Sequence, residues 1–488
     1  MLSALVPEAK SKNTKYYIHS AISIAIMAIF HFLPAPYPLT SGGMIVTGAL
    51  LGAIYGWYHG NMFWSSILAL MAIGISDVST VSRVLAPTFS HTNVIFLIFF
   101  FTFVGYLNSI GFAQTLARKI VSSKLTKGRP WTLSLFLMIA AVLPASIMSV
   151  GAIAVVSLTL LHSICDELGI EKNSKWAVHM AVAIAACIPM AFTLWPFMVS
   201  PMTITGMWSG LGADVSLPFV QYVLFQFGVK IPVMLGMWAV LRFVFKPDVS
   251  KLYAYEPPAE KPKFDEKQMF ALKLFILLIF LLLAPTIFPD GTAVHTFFAQ
   301  FGFHAAMAIV LMCGTLLRDK EGKARVDLPE AAKQGLGPLF PLVVMIGTIF
   351  TISDLLGDPA LGFHAFITHY LGPVLDVGNV LLFTVIILCI TWVISLFLSS
   401  VLLRGILSPI LVPLLIAFGI PIMPFMVVFQ FVLFMPLWFP SAGGIAAIIH
   451  GFPHIGSNNV LKYMPIYQVV ILIVGLLIGI PLSNFIFG

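Results

Sequence analysis

Between Thr391 and Pro413 the chain reads TWVISLFLSSVLLRGILSPILVP, and Arg404 is the only charged residue between Asp376 and Lys462. Everything around it is apolar enough for lipid, where a guanidinium at the bilayer centre costs roughly 2.5–3.5 kcal/mol on insertion scales. Such an arginine needs a function, a structural partner or a route to water. Length decides the fold here. The 39 residues from Val380 to Phe418 would reach about 58 Å as one helix, roughly twice the hydrocarbon thickness, so the chain must turn back. Counted from Gly405 to Phe418 the second arm reaches only about 21 Å. The segment near 379–418 therefore reads as a re-entrant hairpin whose tip stops at membrane depth, where protein or a water-filled cavity must surround it. A second doublet near 131–166 is built alike, with a second arm from Ala152 to Asp166.

The composition agrees. Of 488 residues 59% are hydrophobic and 9% charged, with a mean hydropathy of +1.02, whereas about a quarter of soluble-protein residues are charged. The chain reads as an all-α polytopic membrane protein with about ten spanning segments and no room for a sizeable soluble domain. The net charge of +7 lies in loops, which points to the lipid bilayer and not to nucleic acid. Cys165, Cys187, Cys313 and Cys389 stand apart in apolar surroundings and read as small buried hydrophobes, not as a disulfide or metal set. Lys10, Lys12 and Lys15 precede the first apolar run without a small-residue cleavage site behind it, so that run reads as a retained helix.

Candidate spans lie near 17–35, 41–56, 62–76, 93–117, the doublet at 131–166, 176–207 and 217–246, then near 268–288, 300–317, 337–356, the doublet at 379–418, 423–450 and 465–487. The polar stretch with EPPAEKPK at its centre reads as a surface linker. The expected division is a first repeat at 1–246, a cytoplasmic linker at 247–267 and a second repeat at 268–488. With the N-terminus inside, all but three of the 26 Lys and Arg fall in inner segments, as the positive-inside rule requires. The exceptions are Arg83, Lys230 and Arg404. The second doublet then starts outside and the first inside, which makes two inverted-topology repeats in a multi-pass plasma (inner) membrane protein with a cytoplasmic N-terminus.

After each doublet comes a helix interrupted by prolines: TLWPFMVSP at 193–201 and MPLWFPSAGG at 435–444. Proline removes a backbone donor and blocks the carbonyl four residues back, so both helices should unwind there. Leu194-Trp195 and Leu437-Trp438 repeat at corresponding positions. A hairpin tip facing an unwound helix leaves backbone N–H groups and helix N-termini that favour an anion. In the first half the polar groups available are Ser146 and Ser149 at the tip, facing Thr193 and Ser200. In the second they are Ser399, Ser400 and Arg404, facing Ser441 and the flexible Gly443-Gly444 pair.

The whole chain resembles the divalent anion:sodium symporters, carriers of dicarboxylates, citrate and sulfate. FLPAPYPLTSGGM at the entry to the second span, GFAQTLARKI ending the fourth, the two hairpins and the Pro-broken helices carry the resemblance. It implies inverted repeats, a homodimer, and Ser-Asn-Thr hairpin tips that bind sodium and substrate. Those tips correspond here to Ser149-Val150-Gly151 and Ser399-Ser400-Val401. The Asn and Thr oxygens are missing, which leaves a weak sodium site near Ser149, Gly151 and Ser399. Arg404 would then supply fixed positive charge in place of sodium as the coupling ion, and its guanidinium fork would hold a small-molecule anion.

Other readings stand beside these. Arg404 could be the cytoplasmic turn of two full spans, or a structural arginine bonded to helix-end carbonyls. The serines could bond only within the helix bundle. Lys230, one turn after Gln226, reads mainly as packing, and His450 and His454 as surface residues. No Walker motif GxxxxGK[ST] and no HExxH is present, so direct ATP coupling and a zinc hydrolase are not supported. The expected function is secondary active anion transport by alternating access, without catalysis. An exchanger or uniporter of the same fold, a cation/proton antiporter and an intramembrane enzyme are the alternatives.

Overall fold

A computed structural model describes residues 6–148, 150–259, 262–289, 291–435, 437–442, 444–453 and 455–488. Ser149 and Gly443 of the expected site, and His454, lie outside the described residues. Among those described, regular structure is helical apart from one isolated bridge between Arg318 and Ala324. Eight helices are long and apolar enough to cross a membrane, or up to ten if two sharply bent pairs are each counted as one span.

The first half opens with α1 (Val6–Phe32), α2 (Ser41–His59), α3 (Met62–Gly74) and α4 (Val81–Ser90). The expected span at 62–76 is thus a 13-residue helix, about 20 Å long. The expected span at 93–117 divides into α5 (Thr92–Ser109) and α6 (Phe112–Val121). Gly111 joins them at φ +61, a left-handed conformation that glycine adopts without steric cost. α6 is amphipathic, burying Phe112, Ala113, Ala117 and Val121 while its last turn carries Arg118 and Lys119.

The first doublet is α7 (Pro130–Ala145) and α8 (Val150–Glu167). It enters and leaves on one face, since Trp176, just after the second arm, donates through Nε1 to Ser134 Oγ near the start of the first. The Pro-broken helix follows as α9 (Lys175–Cys187), a tighter 3₁₀ stretch at Ile188–Thr193, and α10 (Val199–Gly210). Unwinding begins at Pro189, earlier than the expected break. α11 (Phe219–Ala239) closes the repeat and runs on as π-helix through Val240–Phe245.

Beyond the linker come α12 (Glu266–Ile287), α13 (Ala293–Ala299), α14 (Gly302–Leu316) and α15 (Leu328–Gln334). α13 meets α14 at 83°. Then α16 (Leu336–Gly357), α17 (Phe363–Leu375), α18 (Val380–Ser395), α19 (Ser400–Ala417), α20 (Ile422–Phe434), α21 (Gly444–Gly451), α22 (Ser457–Val474) and α23 (Ile480–Phe487) repeat the order of α5 to α11. The last pair is joined by a π-helical segment at Gly475–Gly479, as α11 also ends in one. In the second hairpin Phe383 and Phe418 lie 5.6 Å apart, so this doublet also returns to its starting face. Its second arm is longer than expected. α19 starts at Ser400 and not Gly405, giving 18 residues, about 27 Å, because Ser399 takes the N-cap position directly after the turn.

Two faces emerge. Lys251 Nζ donates to Gly169 O at 2.6 Å, Gly128 N to Tyr255 O, Gln268 Nε2 to Ile110 O, and Lys127 pairs with Glu256. These contacts draw the basic loops together. The linker is therefore docked, not loose: Leu252 and Tyr255 are buried, and burial together with nearby Glu167 pushes the Tyr255 hydroxyl up to about 12. On the opposite face the loops at 33–40 and 358–362 meet, with Thr40 N donating to Leu361 O.

The repeats exchange partners. α10 of the first repeat packs on α19 of the second, and α21 of the second packs on α8 of the first, while α11 and α22 pack together. One crossing admits no side chain at all. Gly105 on α5 and Gly335, between α15 and α16, bring their backbones into direct contact, as small residues allow in membrane bundles.

Candidate functional site

Each hairpin tip is fastened to a helix break. In the first repeat Trp195 Nε1 donates to Ser146 Oγ at 3.1 Å, and Ser146 itself donates to Leu143 O. In the second, Ser441 Oγ donates to Phe397 O at 2.9 Å, Phe439 N to Leu396 O, and Phe397 stacks on Phe439 at 4.8 Å. The expected facing of tip and break is present in both halves. Ser146 and Ser441, however, use their hydroxyls as fasteners. A hydrogen bond of this kind contributes about 1 kcal/mol net, so Trp195→Phe and Ser441→Ala should each change uptake rate severalfold and leave binding nearly unchanged, measured as the initial rate against the dissociation constant.

The breaks themselves form the polar centre. Lys230 Nζ on α11 donates to Thr193 Oγ1 at 2.8 Å, and Thr193 Oγ1 to Gln226 Oε1 at 3.5 Å. Tyr222 OH donates to Thr193 O at 3.0 Å and lies 3.3 Å from the Gln430 amide. The same amide lies 3.3 Å from Ser200 Oγ, and Arg404 Nη1 donates to Ser200 O at 3.2 Å. Because the two ends of an amide are assigned from their hydrogen bonds, the orientation giving each group one role has Gln430 N–H donating to Tyr222 and Ser200 O–H donating to Gln430. Thr193, Ser200, Tyr222, Gln226, Lys230, Arg404 and Gln430 are all between 0 and 4% exposed, so this chain is closed off from water.

Arg404 is therefore neither a surface turn nor a partner of Ser441. It sits one turn into α19, bonded to the first turn of α10, with Phe434 at the end of α20 5.3 Å from its guanidinium carbon. It touches both broken helices. Four residues on, Ser408 Oγ accepts from Trp208 Nε1 at 2.9 Å, which lays one face of α19 along α10. The carbonyl-bonded reading of Arg404 is thus part of the answer, but one carbonyl does not use five N–H donors. Among the described residues its Nε has no partner, and neither has Gln226 Nε2.

Among the described residues neither Lys230 nor Arg404 has a carboxylate within ion-pair distance. A buried charge left unpaired is strongly disfavoured, and these two buried basic side chains lie on one hydrogen-bonded chain without such a partner. The expected residues divide. Thr193, Ser200 and Arg404 belong to the chain. Ser399 and Ser400 are half-buried at the second tip, and Ser399 makes no side-chain cap bond. Gly151 faces Ile448 on α21. Sequence reasoning passed over Tyr222, Gln226 and Gln430 and read Lys230 as packing. The signal for Gln430 was available: it is the lone amide in FMVVFQFVLF.

No protein-family model matches the chain, and no curated protein matches it. Solved structures do. The YdaH transporter of Alcanivorax borkumensis, described as having an unusual topology, is 15% identical over 97% of this chain and 98% of its own, with a TM-score of 0.56. MtrF of Neisseria gonorrhoeae, described within a class of antimetabolite efflux pumps, is 15% identical over 97% of this chain and 94% of its own, with a TM-score of 0.54. These belong to a transporter family different from the divalent anion:sodium symporters, and they correct that resemblance. The reason is physical: paired hairpins and Pro-broken helices are features of architecture, and one architecture serves several families, whereas the Ser-Asn-Thr tips that would have been specific are absent here. At this level of identity the shared feature is the fold, and it is the fold of membrane transporters.

Proposed function

We propose that this protein is a secondary transporter that moves a small anion across the membrane by alternating access. One observation carries the reading: two buried basic side chains, Lys230 and Arg404, lie on one hydrogen-bonded chain that joins the broken helices of both repeats, with no described carboxylate beside them. A cationic substrate would be repelled there, and a neutral one would leave the Arg404 guanidinium uncompensated. A seated anion supplies the opposite charge that this chain lacks, and Tyr222, Ser200 and Gln430 lie between its two basic ends. Because the whole chain of residues is closed to water, release requires the breaks and hairpin tips to part toward one side at a time.

The test is uptake of labelled succinate, citrate and sulfate by proteoliposomes, under a sodium gradient, a proton gradient, counter-anion exchange and no gradient. Accumulation or exchange of at least one anion above protein-free vesicles is the expected result. If none of these anions moves under any of these conditions, the reading is wrong.

A further inference from the structure

We propose that Lys230 carries a proton that travels with the anion: its side chain is an amine when the site is empty, gains one proton as the anion is seated, and returns it on release. This rests on the anion-transport reading above and adds the coupling ion to it.

Lys230 is 3% exposed, and its described hydrogen bond runs to a neutral hydroxyl, Thr193 Oγ1. An ammonium has three N–H donors and belongs beside an acceptor of opposite charge. Arg404 shares the same closed chain, and a guanidinium does not give up its proton. With the site empty, two positive charges would stand in low dielectric without a carboxylate. Lys230 is the member that can relieve this.

The hydrogen bonds accept either form. With the ammonium, Thr193 accepts from Nζ and donates to Gln226 Oε1. With the amine, the Thr193 hydroxyl turns to donate to the Nζ lone pair and gives up only the 3.5 Å bond to Gln226. Tyr222 stays on the Thr193 carbonyl throughout. The change costs one long hydrogen bond, that to Gln226 Oε1, and no covalent bond other than N–H forms or breaks.

The other titratable groups lie away from the amine. Among the described residues the elements packed most extensively on α11 are α7, α9, α12, α22, α23 and the two π segments; the break at Ile188–Thr193 and α20 reach it through Thr193 and Gln430 and carry no titratable side chain. α7 and α23 carry no titratable side chain. On α9 and α22, His179 and Tyr463 gather at Phe245, with Lys462 over Tyr463. Phe245 lies 15 residues beyond Lys230, about 22 Å along the helix. Arg242 and Lys175 belong to that same end, and Glu266, Lys267 and Lys273 of α12 are exposed. Cys187 contacts Met237, about two turns past Lys230, and Tyr467 OH reaches His179 O.

The experiment uses the full chain in weakly buffered detergent solution with a pH indicator. Sulfate and succinate are added above pH 7, where both are fully ionised, and dissociation constants are measured across pH. The wild type should take up about one proton per anion, and its affinity should rise tenfold for each unit the pH falls, because the occupied state holds the extra proton. Lys230→Met should bind more weakly, with no proton uptake and a flat pH profile. Lys230→Arg should be equally flat but tighter than Lys230→Met. Anion binding by the wild type without proton uptake, or proton uptake surviving in Lys230→Met, overturns this inference and leaves anion transport standing. If neither anion binds at any pH, both readings fall.

Discussion

Replacing Arg404 with methionine should lower anion uptake by about 30-fold to several thousandfold, the range that follows from the 2–5 kcal/mol of a buried, hydrogen-bonded charge pair. The direction follows from geometry: the guanidinium bridges the first turn of α10 and the end of α20 while keeping donors to spare. Stability should move the other way. Exchanging an unpaired buried charge for a well-packed apolar side chain is often neutral or stabilising, so the variant should melt at or above the wild-type temperature in detergent. Arg404→Lys should be intermediate, since it keeps the charge and loses the planar fork. Equal loss of folded protein and uptake in Arg404→Met would make the arginine structural. Full uptake would remove it from the site.

Gly335→Val should leave almost no assembled protein. A Cβ at Gly335 would collide with Phe101 O and stand 2.7 Å from Gly105 N and 2.8 Å from its Cα, and a Cβ at Gly105 would collide with Ala331 O. Every obstacle is backbone, so no rotamer change can relieve the clash, and α5 would have to leave α15 and α16. Gly337→Val is the control, because its Cβ meets only Ala332 O at 3.8 Å. Size-exclusion profiles of fluorescently tagged variants would separate the two: a monodisperse peak for Gly337→Val and aggregate or no signal for Gly335→Val.

What the sequence made legible was whatever proline, length and charge encode locally. The 39 residues from Val380 to Phe418 could not be one helix, and they are not. Pro196 and Pro201 announced a break, and α9 and α10 are separate helices. Both tips face their breaks, as their spacing implied. What stayed hidden depends on contacts distant in sequence. Arg404 meets Ser200 across 204 positions, and nothing local to either residue says that α19 lies on α10 as well as on α20 of its own repeat. Lys230 carried the same signal as Arg404, a charge inside an apolar run, but the length of α11 made packing the simpler reading. Short helices such as α6 were missed because a single Gly111 in left-handed geometry, not a proline or a charge run, turns the chain there. The family resemblance failed for a related reason: it rested on elements that determine shape and not on side chains that determine ligand.

The exchanged packing of the repeats bears on how many anions one chain can serve. The two crossings, α19 on α10 and α8 on α21, are equivalent in layout but not in chemistry. Arg404 is the fifth residue of α19, and the fifth residue of α8 is Ala154, fully buried and apolar. One crossing holds charge and the other only shape. Under the anion-transport proposal only the crossing that holds Arg404 offers a charged seat, so binding should follow a stoichiometry of one per polypeptide. Neither copy is free to diverge alone, because each presses on a surface supplied by the other.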